Sequence, residues 1–341
     1  MTSASPSRIT GVRPLWAVAG GWVTILGEGF PVDPPPEVRV GGSASRIVAA
    51  SSRELKLVVP DCVEGGHMPV RLEGAPGETL FIDIGVPLAT GLHQVDNPVF
   101  DDEGNLFVTF SGSRGQQVPV SIYMVRRDGS REPFVGDLPN PTSLAFDRSG
   151  QLHVSSRFDG SVYRISPDGT ATAVASDLGV ACGIAFDEEN VLFVGDRSGT
   201  ILRVQDGRAS AVASLPPSVA AFHLAFGPDQ NLYVAGPTLG PRDSIYRIDR
   251  SGDVSVFYEG LGRPQGLAFD EEGRLYVADA LAGTGGIFRF TRDGGQPECV
   301  VAAGGLVGLA FGPRGSLAVC SADTVYRLDV GVRGLLPFTR Q

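Results

Sequence analysis

The sequence predicts an all-β protein: a six-bladed β-propeller over residues 93–341, carried behind a small β-sandwich at residues 8–85. Three observations predict it. A segment of the type Gly-Leu-Ala-Phe recurs six times, each copy is followed by a turn of fixed length, and the first 85 residues carry short strand patterns without that period.

The six copies are Asn97-Pro-Val-Phe100, Ser143-Leu-Ala-Phe146, Gly183-Ile-Ala-Phe186, His223-Leu-Ala-Phe226, Gly266-Leu-Ala-Phe269 and Gly308-Leu-Ala-Phe311. Their anchor phenylalanines are spaced by 46, 40, 40, 43 and 42 residues. Asp or Gly follows every anchor, and six residues past each anchor stands a Leu: Leu106, Leu152, Leu192, Leu232, Leu275 and Leu317. An invariant offset filled with turn formers, as in Asp270-Glu-Glu-Gly-Arg274, predicts a tight connection between two strands. A third strand (Val162-Tyr-Arg-Ile165, Ile245-Tyr-Arg-Ile248) and a weaker fourth (Val254-Ser-Val-Phe257) complete each unit.

Four short antiparallel strands at such a period make one propeller blade. An isolated sheet with two apolar faces cannot bury itself, whereas blades packed around an axis bury both. The six anchor phenylalanines are therefore expected between sheets. Two segments could supply the outer strand that closes the last blade: Val86-Pro-Leu-Ala-Thr90 or Arg333-Gly-Leu-Leu-Pro-Phe338.

Composition bounds the function classes. A formal net charge of −10 argues against a nucleic-acid partner, since an acidic surface repels phosphate backbones. No apolar run approaches the length that spans a membrane. The N-terminus, Met1-Thr-Ser-Ala-Ser-Pro-Ser-Arg8, lacks a charged start followed by an apolar core. The chain therefore reads as a soluble cytoplasmic protein, although an exported protein trimmed of its leader would read alike. Cys62, Cys182, Cys299 and Cys320 form no C-x-x-C pair, so buried free thiols are expected. The four histidines (His67, His93, His153 and His223) form no H-x-x-x-H pair.

Residues 8–85 read as short strands, among them Trp22-Val-Thr-Ile-Leu26, Glu37-Val-Arg-Val40 and Glu54-Leu-Lys-Leu-Val-Val59. The ordered pieces Ile9-Thr-Gly-Val-Arg-Pro14, Gly20-Gly-Trp-Val-Thr-Ile-Leu-Gly-Glu-Gly-Phe30, Val40-Gly-Gly42 and Val58-Val-Pro-Asp61 resemble the IPT/TIG family of immunoglobulin-like domains. The resemblance implies a spacer or contact module with no chemistry of its own.

Pro264-Gln-Gly-Leu-Ala-Phe-Asp270 followed by Gly273-Arg-Leu-Tyr-Val-Ala-Asp279 resembles NHL repeats and the gluconolactonase/senescence-marker-protein propellers. That resemblance implies one divalent metal, such as Ca²⁺ or Zn²⁺, at the channel mouth. Its ligands would be a Glu, two Asn or similar residues and an Asp, each four residues before an anchor. The corresponding positions here are Asp96, Thr142, Cys182, Phe222, Gln265 and Val307. Asp96 alone keeps a carboxylate, and Phe222 and Val307 offer no ligand, although hard cations want several oxygens.

One residue nearer the anchors lie Asn97, Ser143 and His223, placed to face the channel or its rim. His223 is the candidate general base, since imidazole titrates near neutral pH; a histidine bonded to backbone inside the propeller is the alternative. Asn140 stands on the loop before the second blade, as a ligand contact or a turn residue. The strand-connecting loops add Arg114, on the long segment 110–119, and Arg157. The pairs Arg157/Asp159 and Asp196/Arg197 are either mouth residues or local ion pairs. Asp96, Asn97, Gln265 and His223 are expected to converge in one cavity, with Phe222 plugging the mouth if it is dry.

Three functions remain. The leading one is a propeller that binds a sugar-like small molecule or a protein or peptide at the channel mouth, with the sandwich as spacer. The second is a metal-assisted hydrolase of a sugar lactone or related ester. The third is a streptogramin-lyase-like enzyme.

Overall fold

The computed structural model describes residues 7–73, 79–281 and 284–336. Among them the structure is strand and turn, with one short 3₁₀ turn at Pro313–Gly315. No helix of the described residues is long and apolar enough to cross a membrane.

Five four-stranded antiparallel sheets stand as separate blades, at 99–135, 141–175, 181–214, 223–261 and 306–329; the last is completed by Val86–Ala89. Residues 264–302 form a four-stranded meander of the same kind and occupy the fifth position in the ring. Each innermost strand touches the next in cyclic order, and that of the 306–329 blade returns to the first.

The second strand of each blade carries its packing element one residue past the repeated Leu. Phe107, Phe193, Tyr233 and Tyr276 each meet the next blade's anchor edge to face, at ring separations of 5.8, 5.1, 4.9 and 4.9 Å. His153 fills the same slot in the second blade, 4.8 Å from Phe186. The anchors are not equally covered. Phe100, Phe146, Phe269 and Phe311 are buried, while Phe186 and Phe226 are only partly so.

The Asp after an anchor has a specific task. Oδ1 of Asp101, Asp147, Asp187 and Asp270 accepts the backbone N–H groups two and four residues on, as in Asp270 with Glu272 and Arg274 at 3.0 and 2.8 Å. The fixed turn length follows from this closure.

The outer strand of the last blade is Val86–Ala89, paired antiparallel to Val325–Asp329. The C-terminal alternative takes another course. Leu335 N–H donates to Phe269 O at 2.8 Å and Gly334 bridges Asp270, so the segment runs beside the fifth blade; Pro337 and Phe338 lie outside the described residues.

The N-terminal strands pack around Val23, Ile25, Val38, Val40, Leu55, Leu57, Val70 and Ile82. Trp22–Glu28 buries every second residue, the signature of a sheet with one inward face. This sandwich is hydrogen-bonded to the propeller. Trp16–Ala17 lies parallel to both Asp83–Ile84 and Val301–Ala302, which joins the fifth blade edge-on to the N-terminal sheet.

Candidate functional site

The starts of the innermost strands meet at one end of the channel. Asp96 and His223 are both buried, at 2% and 0% exposure, and His223 Nδ1 lies 2.5 Å from Asp96 Oδ1. They enter from the first and fourth blades, which face each other across a ring of six. Their contact therefore lies on the axis, and His223 points into the channel rather than between blades. Asp96 Oδ1 also accepts the Asn97 N–H at 2.7 Å. His223 Nε2 is buried with no hydrogen-bond partner among the described residues.

Asn97 ties strands together. Its Nδ2 donates to Leu267 O at 2.9 Å and its Oδ1 accepts from Leu309 N–H at 3.0 Å, linking the first, fifth and 306–329 blades. The crowding explains the neighbouring glycines: a Cβ on Gly266 would sit 2.1 Å from Asn97 Oδ1, and one on Gly308 would sit 2.8 Å from Asn97 Cα. Gln265 is buried at the equivalent strand entry of the fifth blade. Ser143 has a similar tying role, its Oγ accepting from Ile184 N–H at 3.2 Å.

Phe222 is not a plug at the mouth. It is 1% exposed within the core shared by the third and fourth blades, against Gly195 and Gly236. Asn140 is a loop anchor: its Oδ1 accepts from Gly115 N–H at 2.7 Å, and its Nδ2 donates to Ser111 O and Ser113 O at 2.6 and 2.8 Å. It thereby fixes the long first-blade loop that carries Arg114, which is exposed. Arg157 is half-buried, with Nη2 on Gly112 O at 3.2 Å.

The two local ion pairs do not form. Asp159 accepts from Ser161 N–H and Tyr163 O–H at 3.1 and 2.6 Å, and Asp196 accepts from Val180 N–H at 2.8 Å and from the Ser198 hydroxyl. Arg197 instead donates to Ser218 O and Val219 O, at 3.2 and 2.6 Å.

Burial governs the titratable groups here. It pushes the Cys182 thiol up to about 11, with the Asp96 carboxylate adding to the rise. It drives the Cys320 thiol well up in the same way. His93, beside Arg157, is held below the usual imidazole value by burial and by that guanidinium. Cys62 departs from the buried-thiol expectation and is exposed.

Sequence reasoning missed Gln94. It is fully buried, donates from Nε2 to Asp96 O at 2.7 Å and accepts the Thr109 N–H at 2.7 Å through Oε1, so it clamps the Asp96 backbone. Its one available signal was its place two residues before Asp96, on the same side of an extended segment.

The residues do not fit a hard divalent ion. Asp96 spends Oδ1 on His223 and Asn97, the equivalent strand positions add no second carboxylate, and the described residues hold no group of three or more His, Cys, Asp or Glu that could bind a metal.

At the far end of the channel is a cavity of about 460 Å³. The anchor phenylalanines, Leu144, Ile184, Leu224, Leu267 and Leu309 line it, with Arg148, Asp187 and Glu188 at the rim.

No protein-family model matches the chain, and no curated protein matches it either. Among solved structures it is similar to a candidate gluconolactonase (19% identity, TM-score 0.60, covering 73% of this chain and 92% of that one). It is also similar to regucalcin, a calcium-binding protein from Agrobacterium tumefaciens (20%, TM-score 0.57, 75% and 97%). An auxiliary nutrient binding protein from Bacteroides thetaiotaomicron aligns over nearly the full length (13%, TM-score 0.55, 95% and 98%). At these identities the likeness shows the fold, a β-propeller of the kind found in gluconolactonase-like proteins.

Proposed function

We propose that this chain is a ligand-binding propeller that uses the channel-mouth face for a sugar-like small molecule or a peptide. The N-terminal unit, read as IPT/TIG-like, serves as a spacer or contact module, and the blades are read as NHL-type repeats. One observation carries the proposal. The base that a hydrolase or lyase would use, His223, is sealed at 0% exposure behind a cross-axis contact to Asp96. With the metal-ligand positions lacking a second carboxylate, the lactonase machinery has no place to form. The loop held by Asn140, together with the arginine-bearing loops above, supplies a rigid mouth suited to binding.

A second reading, enzymatic catalysis by His223, is favoured by its unpartnered Nε2. A carboxylate on Nδ1 with a free Nε2 is the arrangement that orients an imidazole as general base.

Two measurements test the proposal. The purified protein should hydrolyse glucono-δ-lactone at the background rate with or without added Ca²⁺ or Zn²⁺. Asn140→Ala, which releases the 111–115 loop, should weaken binding of any ligand found by thermal-shift screening while leaving a cooperative melt. Lactone turnover lost in His223→Gln would replace the binding reading with the enzymatic one.

A further inference from the structure

The protein is acidic overall, yet one side of the mouth, over three consecutive blades, is marked by arginines. From this we infer that the ligand is a small organic anion, held through a carboxylate or phosphate by Arg114, Arg157 and Arg197; this rests on the binding reading above. The three come from the equivalent connections of the first, second and third blades, between the second and third strands of each, which places them on the mouth side.

Their hydrogen bonds are to backbone carbonyls: Arg157 to Gly112 O, and Arg197 to Ser218 O and Val219 O. These bonds reach from one blade's loop toward a neighbouring blade and fix the directions of the Arg157 and Arg197 guanidinium groups. None of the three forms an ion pair among the described residues, although six other arginines do.

The carboxylates on these three loops are engaged in their own turns. Asp159 and Asp196 close their own turns, and Asp96 lies below with His223. Exposed Asp137 and Asp177 stand at the peripheral ends of the connections that lead in from outer strands. Half-buried Arg157 is held below the ordinary guanidinium value by burial first, then by the nearby charges of Arg197 and Arg114.

Like charges held near one another without a counter-ion are costly, most of all at half-buried Arg157, and an arriving anion relieves that cost. Guanidinium suits the task because its planar donor fork matches a carboxylate or a phosphate. Phe158, 53% exposed on the same loop as Arg157, offers an apolar edge beside the charge.

Titration calorimetry of the full chain at constant ionic strength tests this, with citrate, inorganic phosphate and neutral sorbitol as probes. Saturable binding of citrate or phosphate is expected, with none for sorbitol, and the comparison of the two anions separates carboxylate from phosphate preference. Arg114→Gln, an exposed change with no polar contact to lose, and Arg157→Gln/Arg197→Gln should each weaken the anion at least tenfold. The Lys counterparts should recover part of that loss, and Arg250→Gln, on a residue paired with Glu188, should change nothing. Anion binding unaltered by the mouth substitutions overturns the inference. A wild type that binds sorbitol and no anion also overturns it, and leaves the binding function standing. A wild type that binds none of the three counts against both.

Discussion

His223 Nδ1 and Asp96 Oδ1 lie 2.5 Å apart although 127 residues separate them in sequence, and they join opposite blades across the axis of the ring. A buried pair of this kind should behave as a coupled unit. His223→Ala is expected to lower stability by about 1–3 kcal/mol, because a buried acceptor loses its partner. Asp96→Ala should cost at least as much, since the same carboxylate oxygen also accepts the Asn97 N–H. In a double-mutant cycle read by urea unfolding, the two losses should sum to more than the double mutant shows. Strict additivity would mean that the contact contributes nothing.

The anchors should separate into two classes. Phe269→Ala removes a buried ring between blades and should cost about 3–5 kcal/mol, whereas Phe186→Ala, at a partly exposed position, should cost clearly less. Equal losses from both would contradict this difference in burial.

Ring closure makes a truncation prediction. A fragment of residues 86–341 keeps the outer strand Val86–Ala89 and should melt cooperatively, at reduced temperature because the fifth blade loses its Trp16–Ala17 neighbour. A fragment of residues 93–341 lacks that strand and should aggregate. Indistinguishable melts for the two would show that the closing strand is dispensable.

The blades were legible because the constraint is local and repeated. Every blade needs the same turn, so Asp101, Asp147, Asp187 and Asp270 recur at one offset. The convergence of Asp96 with His223 was legible for the same reason, since equivalent positions in a ring meet at its axis. Of the two roles open to Asn140, the turn role is the one its hydrogen bonds fit, while what Phe222 does was not legible. Whether an aromatic at a strand entry faces the channel or the wedge between blades depends on the glycines opposite, here Gly195 and Gly236, which are remote in sequence. Likewise, the carbonyl partners of Arg157 and Arg197 are remote in sequence, so sequence proximity could not decide between mouth residues and local ion pairs with Asp159 and Asp196.

His153 predicts a pH dependence. Burial chiefly holds its pKa below the ordinary value of 6.5, so the folded state binds fewer protons than the unfolded one. Its contribution is therefore fully present above pH 6.5 and is lost as the pH falls below that value. His153→Phe places in this slot the side chain that Phe107 and Phe193 supply in other blades. The variant should lose less stability than wild type between pH 7 and pH 5, measured by urea midpoints. An unchanged difference would remove His153 from the acid sensitivity.

Whether small molecules reach His223 tests the central claim most directly. Native protein treated with diethylpyrocarbonate at neutral pH and mapped by peptide mass spectrometry should carry the label on His67, whose side chain is 63% exposed. His223, at 0% exposure, should remain unlabelled until the protein is unfolded. That result fits an axis closed by the Asp96–His223 contact, with binding confined to the mouth above it. Rapid labelling of His223 in the folded protein would show an open route to its Nε2 and would contradict the account.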